Sequence, residues 1–163
     1  MIRIRSRSSW GAPRTPGGSI QRLSSSSIPI VHHTGSFYGI NKNSSKAQEA
    51  AVLRNIRSYH MGKGWSDIAY SHLIFPSGRV YTGRGWNRIP AGAIGWNTGN
   101  WHPCVVGNYE LREPSEAAVR SLRALVRRFR KRTGSKRTAL GHLDVNPTDC
   151  PGTYLLPRVR KLP

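Results

Sequence analysis

Acidic side chains are scarce in this chain of 163 residues. It has 7 Asp and Glu against 26 Lys and Arg, which gives a net charge of +19, and the first acidic residue is Glu49. A positive field of that size speeds encounter with polyanions but does not specify a fold. Nucleic acid, an anionic membrane and an anionic cell wall are therefore all candidate partners. A glycosidase needs two positioned carboxylates, and no pair among the seven acids is suggested by the pattern.

Cysteine and long apolar runs are also scarce. The two cysteines, Cys104 and Cys150, allow one bridge at most, which excludes a small disulfide-stapled scaffold. Aliphatic runs such as residues 28–31 fall far short of the roughly 20 residues that cross a bilayer. The basic start lacks the apolar stretch of a secretion signal, so we expect no signal peptide. The shortness of the apolar runs argues against a membrane-spanning protein.

The elements that remain predict one α/β domain over residues 1–163, with a central mixed β-sheet flanked by helices. A basic, loop-rich segment (1–27) leads into the core, and a basic, irregular tail (156–163) ends it. Ser45 and Gln48 have capping-box spacing at the start of one helix, which Gly62 and Gly64 would end. A second helix has Pro114 in its first turn and Gly134 as its stop. Strands are predicted at residues 28–33, 68–75, 79–82, 104–106 and 138–143.

Three side chains far apart in the sequence suggest a metal site. His32 lies at the end of one predicted strand and His142 at the end of another, and Cys150 follows His142 by eight positions, in the loop after that strand. Two imidazoles and a thiolate suit zinc, and a three-ligand set leaves a position open for catalysis. Spacing alone leaves structural roles open, and a Cys104–Cys150 bridge would abolish the site. We expect Cys104 to be an inert core thiol, and His60 and His72 to be structural or surface residues. His102 has no expected role.

Seven segments carry a resemblance to a known family. They are SRSSWGA (6–12), VHHT (31–34), GWSDIAY (64–70), GRVYTGRGW (78–86), NTG (97–99), VGNY (106–109) and GH through CPG (141–152). In this order they resemble the type 2 amidase and peptidoglycan-recognition-protein family, over about residues 6 to 155. The resemblance implies a zinc site at one edge of the sheet, in a substrate groove. It also implies an N-acetylmuramoyl-L-alanine amidase, which cuts between the lactyl group of N-acetylmuramic acid and L-alanine in peptidoglycan.

The resemblance also implies roles for individual residues. The Zn²⁺ ligands would be His32, His142 and Cys150. Tyr70 and Thr148 would be catalytic, either stabilising the oxyanion or handling a proton, and the choice between these roles stays open. Asp144 and Asp149 both remain candidates to orient a ligand histidine. The expected substrate contacts are His33, Thr34, Trp65, Trp86 and Asn97, with packing an equal alternative for the two tryptophans.

Departures from the family pattern bear on substrate preference and origin. Ile94 stands where the family often has the histidine of a Gly-Ala-His triplet, and the extra cysteine pair of animal recognition proteins is missing. The missing pair favours a phage or bacterial source. We expect a monomeric phage endolysin that acts on bacterial peptidoglycan and stays in the host cytoplasm until release, with a bacterial cytoplasmic recycling amidase as the neighbouring possibility. Its basic surface could bind anionic wall polymers or outer-membrane lipids. The alternatives are a non-catalytic peptidoglycan-recognition module and a basic nucleic-acid-binding protein.

Overall fold

A computed structural model describes residues 2–163, which form a six-stranded mixed sheet with a helix packed on each face. The strand order is β1-β4-β3-β5-β2-β6, and only the β3–β4 pair is antiparallel. The strands are β1 (Ile4–Arg5), β2 (Ile30–His33), β3 (His72–Ile74), β4 (Val80–Thr82), β5 (Pro103–Val105) and β6 (Leu140–Gly141). The helices are α1 (Lys46–Gly62), α2 (Glu116–Thr133) and α3 (Leu156–Val159). The predicted fold class is confirmed.

Strand alternation divides the core into two layers. Along β5, Cys104 packs with α1 residues on one face of the sheet, and Val105 packs with α2 residues on the other. Val31 of β2 belongs to the α2 layer, so the next residue, His32, points to the α1 face. His32 is also in register with Cys104 on the neighbouring strand. The alternation therefore places the candidate metal ligand on the α1 side.

The two long helices begin and end at residues that cap them. Ser45 accepts a hydrogen bond from Gln48 N, and Gln48 Oε1 accepts one from Ser45 N, so the predicted capping box is confirmed. Ser115 is the N-cap of helix α2, and its hydroxyl accepts a hydrogen bond from Ala118 N, so Pro114 precedes the cap and does not lie in the first turn. Gly134, with φ of 73°, ends α2 as expected.

The structure also corrects three predicted segments. The hairpin strands β3 and β4 are shorter than predicted, because residues 68–71 form a loop whose backbone bonds to residues 83–85 and 102. The last strand has only two residues, since the chain turns into a one-turn 3-10 helix at His142–Asp144. The tail is not wholly irregular, because α3 follows Leu155 and buries Val159. No helix among residues 2–163 has the length and hydropathy needed to cross a membrane.

Candidate metal centre

Three elements bring His32, His142 and Cys150 together. His32 lies near the end of β2, His142 follows β6 directly, and Cys150 lies in the loop before α3. One nitrogen of each histidine and the Cys150 Sγ all lie within 4.8 Å of one another. His32 and Cys150 are buried, and His142 is half-buried. The structure therefore assembles the three predicted ligands into one cluster near the β2–β6 edge of the sheet.

Neighbouring side chains orient both imidazoles. His32 Nε2 lies 2.9 Å from His102 Nδ1, and His102 Nε2 lies 3.0 Å from the Trp96 carbonyl oxygen. His142 Nε2 lies 3.1 Å from Asn146 Oδ1, and the Asn146 amide donates from Nδ2 to the Ile94 carbonyl. In each ligand histidine this leaves Nδ1 as the nitrogen available to a metal. Such contacts to the far side of a ligand imidazole fix its orientation.

The carboxylates considered from the sequence do not orient the ligand histidines. Asp144 accepts hydrogen bonds from the Arg160 guanidinium and from Gly141 N. No contact of Asp149 with either ligand imidazole is found among the described residues, although Asp149 lines the same groove. The partners are instead His102 and Asn146, which sequence reasoning missed. Both come from loops, and no spacing rule connects them to the ligands.

The donor set fits zinc. The distance from His32 Nδ1 to Cys150 Sγ is 3.6 Å. A tetrahedral zinc ion with ordinary Zn–N and Zn–S bonds would separate these two atoms by about 3.6 Å. Burial raises the pKa of the Cys150 thiol to about 12, although the His33 backbone N–H, 3.3 Å from Sγ, opposes this. A buried thiol of this kind becomes a thiolate once a cation lies against it, which is the condition that zinc provides.

A groove of about 450 Å³ opens over the cluster. Tyr70 lines it, with its ring centroid 5.4 Å from that of His32. Burial, together with the nearby Cys104 and Cys150, raises the pKa of Tyr70 well above its usual value. The phenol is therefore neutral at physiological pH and can donate a hydrogen bond. The groove is also lined by His33, Thr34, Tyr59, His60, Lys63, Trp65, Ala69, Ala91, Gly92, Thr148 and Asp149.

Two of the predicted substrate contacts lie elsewhere. Trp86 stacks on Trp101 with centroids 5.3 Å apart and packs against His72 at 4.3 Å, so it is a packing residue on the α2 side of the sheet. Asn97 lines an adjoining depression, and its Oδ1 holds the loop by accepting from Ala93 N. Trp86 therefore has the packing role that the sequence left as an equal alternative, and Asn97 lies beside the groove.

One groove wall was missed from the sequence. His60 at the end of α1 is buried and accepts a hydrogen bond from Ala69 N, and its ring lies 4.9 Å from that of Trp65. The Lys63 ammonium lies 4.6 Å from the Tyr59 ring and 5.2 Å from the Trp65 ring. These residues give the groove an aromatic wall with one cation. The sequence pattern here, a helix end followed by aromatic residues, is too common to have indicated a groove wall.

Comparisons with known proteins all match this chain to peptidoglycan amidases or peptidoglycan-recognition proteins. The family model described as N-acetylmuramoyl-L-alanine amidase matches residues 25–153. Peptidoglycan-recognition protein SC2 of Drosophila simulans is 35% identical over 98% of this chain and 85% of that protein. The human N-acetylmuramoyl-L-alanine amidase is 34% identical over 98% of this chain, which corresponds to 28% of that longer protein.

A solved structure shows the same fold. The chain of peptidoglycan recognition protein LE, in complex with tracheal cytotoxin, aligns with a TM-score of 0.85 and 26% identity. The alignment covers 98% of this chain and 94% of that chain. The ligand in that structure is a monomeric diaminopimelic acid-type peptidoglycan.

Proposed function

The chain belongs to the N-acetylmuramoyl-L-alanine amidase family, and we propose that it is a zinc-dependent enzyme of this kind. It would hydrolyse the amide bond between the lactyl group of N-acetylmuramic acid and L-alanine in peptidoglycan. The observation that carries the proposal is the complete set of His32, His142 and Cys150 at the floor of a groove, with Tyr70 beside it. A three-ligand site that opens to a groove leaves one position for water or substrate, as catalytic zinc sites do.

The residues around the cluster have roles that suit amide hydrolysis. Zinc, when bound, supplies Lewis-acid activation of the amide carbonyl and of the attacking water. Tyr70, held as a neutral phenol, can donate a hydrogen bond to the oxygen that becomes negative as water adds to the carbonyl. Thr148 lines the groove and accepts from Cys150 N at 3.2 Å, so it shapes the Cys150 loop and presents a hydroxyl to the substrate. We assign the main oxyanion donor role to Tyr70.

The groove suits a substrate that carries both apolar surface and negative charge. Trp65 is 36% exposed and offers a ring face for stacking, and Lys63 beside it offers a cation for a carboxylate. Stem peptides of peptidoglycan carry carboxylates, and the relative LE is described with a diaminopimelic acid-type fragment. That fragment class is therefore the first substrate to test.

We extend the proposal to a bacteriolytic role of the endolysin type, with action on the wall after release from the host cytoplasm. The net charge of +19 supports it, because a cationic enzyme accumulates on an anionic envelope. Turbidity of bacteria with a permeabilised outer envelope should fall with the wild type and stay constant with Cys150→Ser. If the wild type cleaves purified peptidoglycan but leaves the turbidity of the bacteria constant, the protein has a non-lytic role.

The reaction itself is tested by digesting purified peptidoglycan and identifying the products by mass spectrometry. We expect stem peptides with free L-alanine amino termini, and we expect none after chelation or with Cys150→Ser. Restoration by added zinc in the chelated wild type, but not in Cys150→Ser, would tie the activity to the cluster. Binding of peptidoglycan without new L-alanine termini would overturn the enzyme proposal and favour a recognition module.

A further inference from the structure

Beyond its first residue, Glu116, the exposed side of helix α2 and the segment after it carry no acidic side chain. Residues 117–143 contain nine Lys and Arg and no Asp or Glu. Among the described residues, the ion pairs use Arg7, Arg57, Arg79, Arg158 and Arg160, and none of these nine. We call this surface the cationic face; its members are Arg120, Arg123, Arg127, Arg128, Arg130, Lys131, Arg132, Lys136 and Arg137.

The cationic face lies on the opposite side of the sheet from the groove. Leu122, Leu125 and Phe129 of α2 pack in the same layer as Val31 and Val105. His32 points the other way, into the layer that contains α1, and the groove residues lie on that side. A polyanion bound to the cationic face would therefore leave the groove free for a second ligand.

The chemistry of the face indicates what it can recognise. Seven of the nine cations are arginines, whose planar guanidinium forms paired hydrogen bonds with phosphate oxygens. None of the large apolar side chains exposed among residues 2–163 lies between Arg120 and Arg137, the span that contains all members of the cationic face. The face thus offers nothing to insert into a bilayer and no ring on which a nucleic acid base could stack. Phosphate groups on a flexible chain are the ligand that this surface suits.

We propose that the cationic face docks on a phosphate-bearing polymer of the bacterial wall. The proposal rests on the proposed function, since a wall-degrading enzyme meets such a polymer beside its substrate. The sheet would then separate two tasks, with retention on the wall at the α2 face and amide cleavage in the groove at the α1 face.

The test measures co-sedimentation of metal-free protein with purified walls. The walls carry a polyol-phosphate polymer, or have had it removed by mild acid. The face variant is Arg120→Gln/Arg127→Gln/Lys131→Gln, whose three side chains are exposed and make no hydrogen bond with other described residues. The control is Arg14→Gln/Arg22→Gln/Lys46→Gln, which removes the same charge from exposed positions outside the face.

We expect the affinity of the face variant for polymer-bearing walls to be about ten-fold lower than that of the wild type, because three surface ion contacts are lost. The control should lose much less, and wild-type binding should weaken on stripped walls and with rising salt. Equal losses in the two variants, or unchanged binding to stripped walls, would overturn the proposal. So would tighter binding to phosphatidylglycerol vesicles or to duplex DNA than to polymer-bearing walls.

Cleavage of a soluble muropeptide separates this proposal from the proposed function. The face variant should cleave it at the wild-type rate, because the substrate carries no polymer. A wild type that binds polymer-bearing walls but does not cleave the muropeptide would refute the enzyme and leave the docking face intact.

A different observation carries a second proposal, which concerns His102. The Trp96 carbonyl can only accept a hydrogen bond, so His102 Nε2 carries the proton and His102 Nδ1 is an acceptor. His32 must then donate from Nε2, and its Nδ1 keeps the lone pair that faces Cys150. The Trp96–His102–His32 chain thus selects the tautomer of His32 that a metal requires.

Close packing keeps this pair of rings in place. His102 is fully buried, and the two rings lie edge to edge with centroids 4.9 Å apart and planes 21° apart. A Cβ atom at position 92 would lie 2.7 Å from His102 Nδ1 and 2.9 Å from His32 Nε2, so only glycine fits there. The backbone of Gly92 therefore packs directly against the hydrogen bond between His32 and His102.

We infer that His102 is a positioning residue that sets the tautomer and orientation of His32 for metal binding. Loss of such a partner typically weakens metal affinity 10- to 100-fold. Competition with a chromophoric chelator should show a loss of about that size for His102→Ala. His102→Asn keeps an acceptor near the Nδ1 position and should recover much of the affinity.

The control is His72→Ala, which removes another buried histidine, one that accepts from Trp101 Nε1 and lies away from the cluster. It should destabilise the fold and leave zinc affinity unchanged. Long-range ¹H–¹⁵N spectra of the metal-free protein give a second measurement, in which His32 should be protonated on Nε2. Protonation on Nδ1, or equal zinc affinity in wild type and His102→Ala, would overturn the assignment.

Discussion

The Nδ1 atom of His32 lies 3.6 Å from the Sγ atom of Cys150, although 118 positions separate the two residues. The separation is the one that a tetrahedral zinc ion would impose on a nitrogen and a sulfur ligand. The protein therefore holds these two atoms ready for a metal through strand β2, the loop before α3 and the hydrogen bond from His33 N. The consequences for catalysis and stability can each be measured.

Substitution Tyr70→Phe tests the assignment of the oxyanion donor. Removing one such donor lowers kcat by about 10²- to 10³-fold, and the aromatic ring that packs on His32 is retained. We expect that loss of kcat on a soluble muropeptide, with unchanged zinc affinity. Tyr59→Phe, which alters another groove tyrosine, is the control. Similar kcat values for the two variants would refute the role of Tyr70.

Two tryptophans that both follow a glycine should respond in opposite ways. Trp65→Ala removes an exposed ring at the groove and should raise KM about 3- to 10-fold with little change in Tm. Trp86→Ala removes a half-buried ring stacked on Trp101 and should cost about 2 kcal/mol of the free energy of unfolding. Steady-state kinetics and urea unfolding measure the two effects. A rise of KM in Trp86→Ala, with unchanged stability, would restore its predicted substrate role.

The buried His72 should make the fold sensitive to acid. Burial, together with Arg128 and Arg132, lowers the pKa of His72 to about 3. In the unfolded chain a histidine pKa is about 6.5, so below that pH the unfolded state binds a proton that the folded state does not. The free energy of unfolding should then fall by about 1.4 kcal/mol per pH unit for this residue, from about pH 6.5 towards pH 3.

Urea unfolding of metal-free wild type and His72→Gln between pH 7 and pH 4 isolates this contribution. The variant cannot titrate at this position, so its stability should decline less steeply with falling pH. The buried His60 and His102 also lower the free energy of unfolding as the pH falls. Because both proteins retain them, their contributions cancel in the comparison. Parallel pH dependences of the two proteins would show that His72 does not contribute.

Local signals in the sequence predict much of the fold. The Ser45–Gln48 capping box and Gly134 each act within one turn of chain, and the structure places both where the pattern indicates. Pro114 fits a first turn by preference alone, but the hydroxyl of Ser115 caps the helix one residue later. Helix α3 was not predicted, because its four residues become helical where Leu155 and Val159 are buried in the core, which is a tertiary effect and not a local one.

Local sequence patterns predict less of the candidate site than of the fold. Residue types and spacing suggested the ligand set and the family motifs supported it, whereas His102 and Asn146 meet the ligand imidazoles through loop geometry. Trp65 and Trp86 have the same local sequence context, and only the packing of Trp86 against Trp101 separates them. Contacts between residues some 70 positions apart, such as His32 and His102, follow from strand order, which periodicity does not specify.

Zinc titration of the metal-free protein tests the central claim most directly. Peptidoglycan amidase activity is measured on a soluble muropeptide as zinc is added in fractions of an equivalent. We predict no activity before addition, a linear rise to a plateau at about one equivalent per chain, and no rise for Cys150→Ser, since the cluster offers one three-ligand site. Full activity without metal, or no cleavage at any zinc concentration, would contradict the account.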